Sequence, residues 1–132
     1  MTSPPAWLAL LAPLPDDVGT CERTAMPGPA LAGWQHIRLV LGSGPTGLRI
    51  AGVLLDAAGR PASVSDLVAT DGARRQETAM ARMEPDGQVH GTYWLTEGPL
   101  HTPRALTDAE RDRLRALAGA LVRRCAADDD RR

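Results

Sequence analysis

From Trp34 to Leu41 the side chains alternate, with Ile37, Leu39 and Leu41 pointing one way and His36, Arg38 and Val40 the other. A period of two marks a strand with one buried face. The pattern recurs in short units separated by turn residues. Gly42 to Gly47 ends the first unit, and Leu48 to Leu55 is apolar enough on both sides to sit centrally in a sheet. Asp56-Ala57-Ala58-Gly59 then turns the chain into a third strand over Ala62 to Val68. Gln76 to Met83 is built of good helix formers. Its neighbours decide otherwise: Glu84-Pro85-Asp86-Gly87 is a turn in which proline presets φ and glycine takes a positive φ, and Gln88 to Thr96 is rich in β-formers. The two segments predict a hairpin, so residues 34–96 read as an antiparallel β-meander of four to five strands.

The strand period ends before Thr107-Asp108-Ala109-Glu110, which fits a capping box. Leu114, Leu117, Ala118, Leu121, Val122 and Cys125 then recur on one helical face, while Arg111, Asp112, Arg115 and Arg123 project from the other. The spacing predicts an amphipathic C-terminal helix over 106–126 and a disordered, solvated tail over 127–132. Near the other end, Ser3 and Pro4 open a short helix carrying Trp7, Leu8, Leu10 and Leu11, which Pro13 and Pro15 stop. Asp16 to Gly33 reads as an irregular strap, completing an N-terminal region of 1–33. A chain of 132 residues has room for one core. The expectation is a single α+β domain, a meander with a short N-terminal helix and the C-terminal helix packed on it.

Charge and residue choice narrow the function. A net charge of −1 argues against broad attraction to nucleic acid or to an anionic membrane. Every basic residue is Arg, and without Lys there is neither a Schiff-base lysine nor a phosphate-cradling P-loop lysine. The Arg, Ala, Gly and Pro bias reads as a GC-rich, bacterial coding sequence. Cys21 and Cys125 fit no disulfide framework and no paired zinc spacing, so they read as free thiols of a cytoplasmic protein. The apolar run Ala6 to Leu14 is too short to span a bilayer, and no basic segment precedes it as in a secretory signal.

Candidate chemistry is sparse. Gly42-Ser43-Gly44-Pro45-Thr46-Gly47 matches a dinucleotide-binding pattern, but a strand, not a helix, follows it. A turn between two strands is the better reading. His36, His90 and His101 fall on separate elements with no metal-ligand spacing, and the acidic stretch Asp66, Asp71, Glu77, Glu84, Asp86 lacks the glycine-pinned loop of a calcium site. The serines lack a nucleophile elbow. These residues imply no enzyme, no metal and no cofactor. Aromatic residues stand out by scarcity: Tyr93 and Trp94 are adjacent on one strand and must face opposite sides of the sheet. An exposed member near Trp34 and Arg38 would make an aromatic and Arg patch of the kind that anchors protein interfaces.

An N-terminal helix, a strand opening Trp34-Gln35-His36-Ile37, the Pro85-Asp86-Gly87 turn into Tyr93-Trp94, and a closing helix together resemble small bacterial immunity and antitoxin proteins of α-β-meander-α layout, across residues 34–125. The resemblance implies a non-enzymatic, immunity-like or chaperone-like module that binds another protein. Its candidate contact residues are Trp34, Arg38, Tyr93, Trp94, Arg111, Arg115 and Arg123. The competing reading is a small-molecule-binding or enzymatic domain with a pocket between sheet and C-terminal helix, where His36, Glu77 and His90 would be the polar participants.

Overall fold

In the computed structural model, which describes residues 20–42, 48–70 and 74–130, the chain forms one antiparallel sheet of seven strands in sequential order. The strands are β1 (Thr20–Ala25), β2 (Gln35–Gly42), β3 (Leu48–Leu55), β4 (Pro61–Thr70), β5 (Arg75–Met83), β6 (Val89–Glu97) and β7 (Leu100–Ala105). The helix α1 (Asp108–Asp130) closes the chain and packs on one face of the sheet. The α+β meander expected from the sequence is therefore present, with more strands than the four to five read there.

The two additional strands are the edges. β1 lies inside the segment read as an irregular strap, and β7 follows the last strand expected. Both are six residues long, one contains Pro103, and neither carries a strong apolar alternation, because an edge strand needs only one neighbour and little burial. The helix also runs to Asp130, so the backbone of 127–130 is helical where a disordered tail was expected. The N-terminal helix read at Ser3 to Leu14, with Trp7, lies outside the described residues, as do residues 43–47 of the glycine-rich turn and Asp71. Leu48 does open a strand, as the rejection of a dinucleotide site required.

Gln76 to Met83 is strand β5, paired residue for residue with β6 from Arg75↔Glu97 to Met83↔Val89. The intervening turn overrides helix propensity. Asp56–Arg60 and Glu84–Gln88 use the same device: the first residue's N–H donates to the fifth residue's carbonyl, at 2.9 and 2.8 Å, and a glycine at the fourth position, Gly59 or Gly87, holds φ near +81° or +92°. That conformation is open to glycine and strained for most other residues. Asp56 Oδ1 adds bonds from the Ala58 and Arg60 N–H groups at 2.9 Å. The Arg60 N–H is the strongest influence holding the Asp56 carboxyl below its ordinary value.

The core lies between α1 and the sheet. Ile37, Leu39, Ala51, Val53, Val64, Ala79, Ala81 and Tyr93 rise from the sheet to meet Leu114, Leu117, Ala118, Leu121 and Cys125. The helix crosses the whole sheet: Glu110 in its first turn meets Arg104 of β7, and Cys125 near its end accepts a long contact from Arg23 of β1. The expected capping box is formed, with Glu110 N–H donating to Thr107 Oγ1 at 3.2 Å and Thr107 N–H donating to Glu110 Oε1 at 2.8 Å.

Gly91 is the tightest point of this layer. A Cβ there would stand 2.2 Å from the Met80 carbonyl oxygen and 2.5 Å from Leu106 Cδ1. Gly91→Ala is expected to cost roughly 1–3 kcal/mol by overpacking, read as a lower urea midpoint at unchanged slope. An unchanged midpoint would show that β5 and Leu106 yield freely.

Candidate functional site

The two faces of the sheet differ in kind. On the helix side, ionisable groups are buried and matched. Asp66 of β4 is fully buried and diagonally across from Arg49 of β3, which donates Nε at 3.2 Å and Nη2 at 2.8 Å to its two carboxylate oxygens. Burial pushes the Asp66 carboxyl up to about 6 even against this guanidinium. Beyond it, Tyr93 Oη donates to Glu77 Oε1 at 2.5 Å, Arg75 approaches the same oxygen at 3.9 Å, and the Arg104 guanidinium lies over the Tyr93 ring, 4.2 Å from its centroid. Burial first, then the bond to Glu77, push the Tyr93 phenol well above its ordinary value. Arg104 continues into a two-point contact with Glu110 at 2.7 and 2.9 Å. Burial opposes ionisation of Glu110, but the Arg104 and Thr107 donors outweigh it and hold the carboxyl below the usual range. This chain of contacts ties the start of α1 to β5, β6 and β7. Apart from Glu77 Oε2 and Arg75 Nε, which lack a hydrogen-bond partner, its groups are spent on one another, which is structural work.

No described element packs on the other face. The strand registers place its side chains in rows across the sheet. One row is largely apolar: Val40, Ile50, Leu67, Thr78, Trp94 and Pro103 stand opposite one another from β2 to β7. The next row runs Arg38, Gly52, Ser65, Met80, Thr92, and Met80 is 49% exposed. Gly52 and Ser65 are small, so the face dips there into a groove of about 550 Å³ that Glu22, Thr24, His36, Arg38, Leu54 and Met80 help to line. A Cβ on Gly52 would come within 3.0 Å of His36 Nε2 and 3.3 Å of Ser65 Oγ, so glycine gives the groove its floor. Arg38 holds Glu22 at 2.5 Å and Arg82 holds Glu84 at 2.9 Å, both as solvent-exposed pairs. Exposed pairs of this sort are worth about 0–1 kcal/mol, so either guanidinium is available to a competing carboxylate.

The structure separates the candidate residues of the sequence. Trp94 is half-buried on the open face, whereas Tyr93 is 5% exposed and points under the helix, which takes it off the open face. Arg38 is on the open face. Trp34 sits half-buried at the turn end of the sheet, beside Arg60, Arg82, Glu84 and Pro85. Arg111, Arg115 and Arg123 belong to the outer side of α1, across the molecule from Trp94. Arg111 pairs with Asp108, and Arg115 spans Asp112 and the Gly87 carbonyl at 3.0 Å each. One compact patch does not contain them all.

A cavity of about 450 Å³ does lie between the start of β6 and α1, lined by His90 with Asp108, Arg111, Asp112 and Arg115, but the three residues read for the alternative pocket do not converge on it. His36 and His90 share the open face and one cross-sheet row, through Leu54, Ser63 and Arg82, but three strands separate them. At about 4.8 Å per strand that is roughly 19 Å. Glu77 faces the other side and is bonded to Tyr93. Among the described residues no group of three or more His, Cys, Asp or Glu could hold a metal ion, and no helix is long and apolar enough to cross a membrane. Sequence reading missed Ile50, Leu67 and Met80 as surface candidates. The alternation of β3 to β5 contained the signal, but their helix-side partners include Arg49, Asp66 and Glu77, so polarity did not reveal which side was buried.

No protein-family model matches the chain, and no curated protein or solved structure matches it.

Proposed function

We propose that this chain is a non-catalytic binding module that docks another protein on the face of its sheet that no described element covers. The observation that carries the reading is the apolar row through Val40, Ile50, Leu67 and Trp94, on a face no described element covers. A row of this kind, with Arg38 in the adjacent row in an exposed ion pair, fits a partner surface with an apolar ridge and carboxylates beside it. An immunity- or antitoxin-like role in a bacterial cytoplasm is the form of binding that best suits the α-β-meander layout. Occlusion of a partner requires shape and complementary charge and no reacting group. The buried polar network under α1 supports the same reading, since its groups bond to one another on the helix side of the sheet.

The test pairs affinity with stability. A partner recovered from the native host with the wild-type chain is titrated against Trp94→Ala, with urea melts run alongside. Trp94→Ala is expected to weaken binding by about 2 kcal/mol or more, roughly thirtyfold, while the domain stays folded. Folded Trp94→Ala, Ile50→Ala and Leu67→Ala variants that all bind at wild-type strength would overturn the proposal.

A further inference from the structure

We propose that the gap over Gly52 in the open-face groove receives a carboxylate, carried by an acidic side chain of the docked partner. The inference deepens the docking reading above and rests on it for the source of the carboxylate. The row that crosses the sheet beside the apolar one runs Glu22, Arg38, Gly52, Ser65 and Met80, so glycine stands where a side chain would fill the middle of the groove. Polar atoms border the gap. The position a Gly52 Cβ would take is 3.0 Å from His36 Nε2 and 3.3 Å from Ser65 Oγ, so an oxygen resting over the Gly52 Cα has an imidazole and a hydroxyl beside it. With Nε2 protonated, His36 donates to such an oxygen, as does the Ser65 hydroxyl. Among the described residues neither side chain is hydrogen-bonded, in contrast to the polar groups under α1. Arg38 stands directly opposite Gly52 in the register, and its pairing with Glu22 at 2.5 Å shows that a carboxylate suits this end of the groove. Both members of that pair are half-exposed, so an incoming carboxylate can take the place of Glu22 at little cost. Charge selects the class. One guanidinium beside one resident carboxylate favours a singly charged acid over a phosphate, whose second charge Glu22 would repel. Leu54 and Met80 supply apolar walls for the methylenes behind the carboxylate. Reach selects the source. The Gly52 row lies two residues along each strand from the apolar row, about 7 Å away, so a partner seated on Ile50, Leu67 and Trp94 holds its neighbouring acidic side chains over the gap.

The probe is sodium propionate, the glutamate side chain without its backbone. It is titrated into the full chain at constant ionic strength, with propionamide and inorganic phosphate as controls, and followed by NMR on the His36 ring and the Arg38 guanidinium. Propionate is expected to give saturable shifts at both residues, and propionamide none. Gly52→Ala puts a methyl into the gap, where it meets only side-chain atoms, and should abolish the response. Arg38→Gln, at an exposed pair, should abolish it too, so the result does not depend on one variant folding. Glu22→Gln removes the competitor for Arg38 and should bind propionate several-fold more tightly, a direction that loss of a structural contact does not produce. The partner recovered with the wild-type chain should bind Gly52→Ala several-fold more weakly, and saturating propionate should compete with it. Shifts that rise without saturating, or that are equal in wild type and Gly52→Ala, would overturn the site, as would phosphate binding in preference to propionate. Propionate binding with unchanged partner affinity in Gly52→Ala would overturn the assignment of the carboxylate to the partner. The two proposals fail separately, since partner docking is read on Trp94→Ala and the gap is read on propionate with no partner present.

Discussion

Replacing Arg49 by Ala is expected to destabilise the domain by about 3 kcal/mol at pH 8, and by markedly less at pH 5. Removing the guanidinium strands the Asp66 carboxylate, which is fully buried and has Arg49 as its two-point partner. Arg49 itself reaches the rim, with 17% of its side chain exposed, which places the loss at the low end of what breaking a buried pair costs. The pH dependence follows from the direction of the Asp66 shift. Its folded value, about 6, lies above the ordinary 3.8, so between those values the folded state holds a proton that the unfolded state has released. The Asp66 contribution to stability is therefore fullest below about pH 4 and falls as pH rises through 6. Without Arg49 the carboxyl is pushed further up, and below its new value Asp66 is neutral and the missing cation matters little. Glu110 and Asp56, whose carboxyls are held below their ordinary values, act in the opposite sense but equally in both proteins, so the wild-type-minus-variant difference isolates the pair. Urea melts at the two pH values check this. A loss of equal size at pH 5 and pH 8 would show that Asp66 does not titrate in that window.

That pair also shows why part of the molecule was legible in the sequence and part was not. Strand β2 announced itself through its alternation, β3 to β6 through apolar or β-rich runs around the turns that hold Gly59 and Gly87 at positive φ, and the helix through its capping box, all of which are local rules. The face each strand buries is a tertiary property. β2 alternates cleanly because Ile37 and Leu39 meet α1 while His36 and Arg38 meet solvent. β4 and β5 break that pattern at single positions, since Asp66 and Glu77 are buried beside Val64, Ala79 and Ala81 while Leu67 and Met80 stand on the open side. Hydrophobicity alone misplaces Asp66, Glu77, Leu67 and Met80. The same limit explains the candidate site: period-2 geometry required Tyr93 and Trp94 to part, but only the position of α1 decides which of them is covered. Edge strands β1 and β7 escaped notice because neither has to bury much.

The largest predicted effect follows from that division: Tyr93→Ala should cost roughly 3–5 kcal/mol of stability without being a contact residue for any partner. The side chain is 5% exposed, its ring supports Arg104, and its hydroxyl donates to a Glu77 carboxylate that is 1% exposed. Truncation opens a cavity under α1 and removes the donor to Oε1, while Oε2 already has no hydrogen-bond partner. Two further variants separate these contributions. Tyr93→Phe keeps the ring and should lose about 1.5–3 kcal/mol, the worth of a hydrogen bond to a charged group. Glu77→Gln in the Tyr93→Phe background should recover part of that loss, because a neutral amide tolerates a missing donor better than a carboxylate does, and the double-mutant cycle then reports their coupling. Tyr93→Phe should also bind a recovered partner at wild-type strength, in contrast to Trp94→Ala on the next residue. Stability unchanged in Tyr93→Phe would show that the 2.5 Å contact carries no net energy. Weakened partner binding by folded Tyr93→Phe, with Trp94→Ala unaffected, would move the docking surface to the helix side of the sheet.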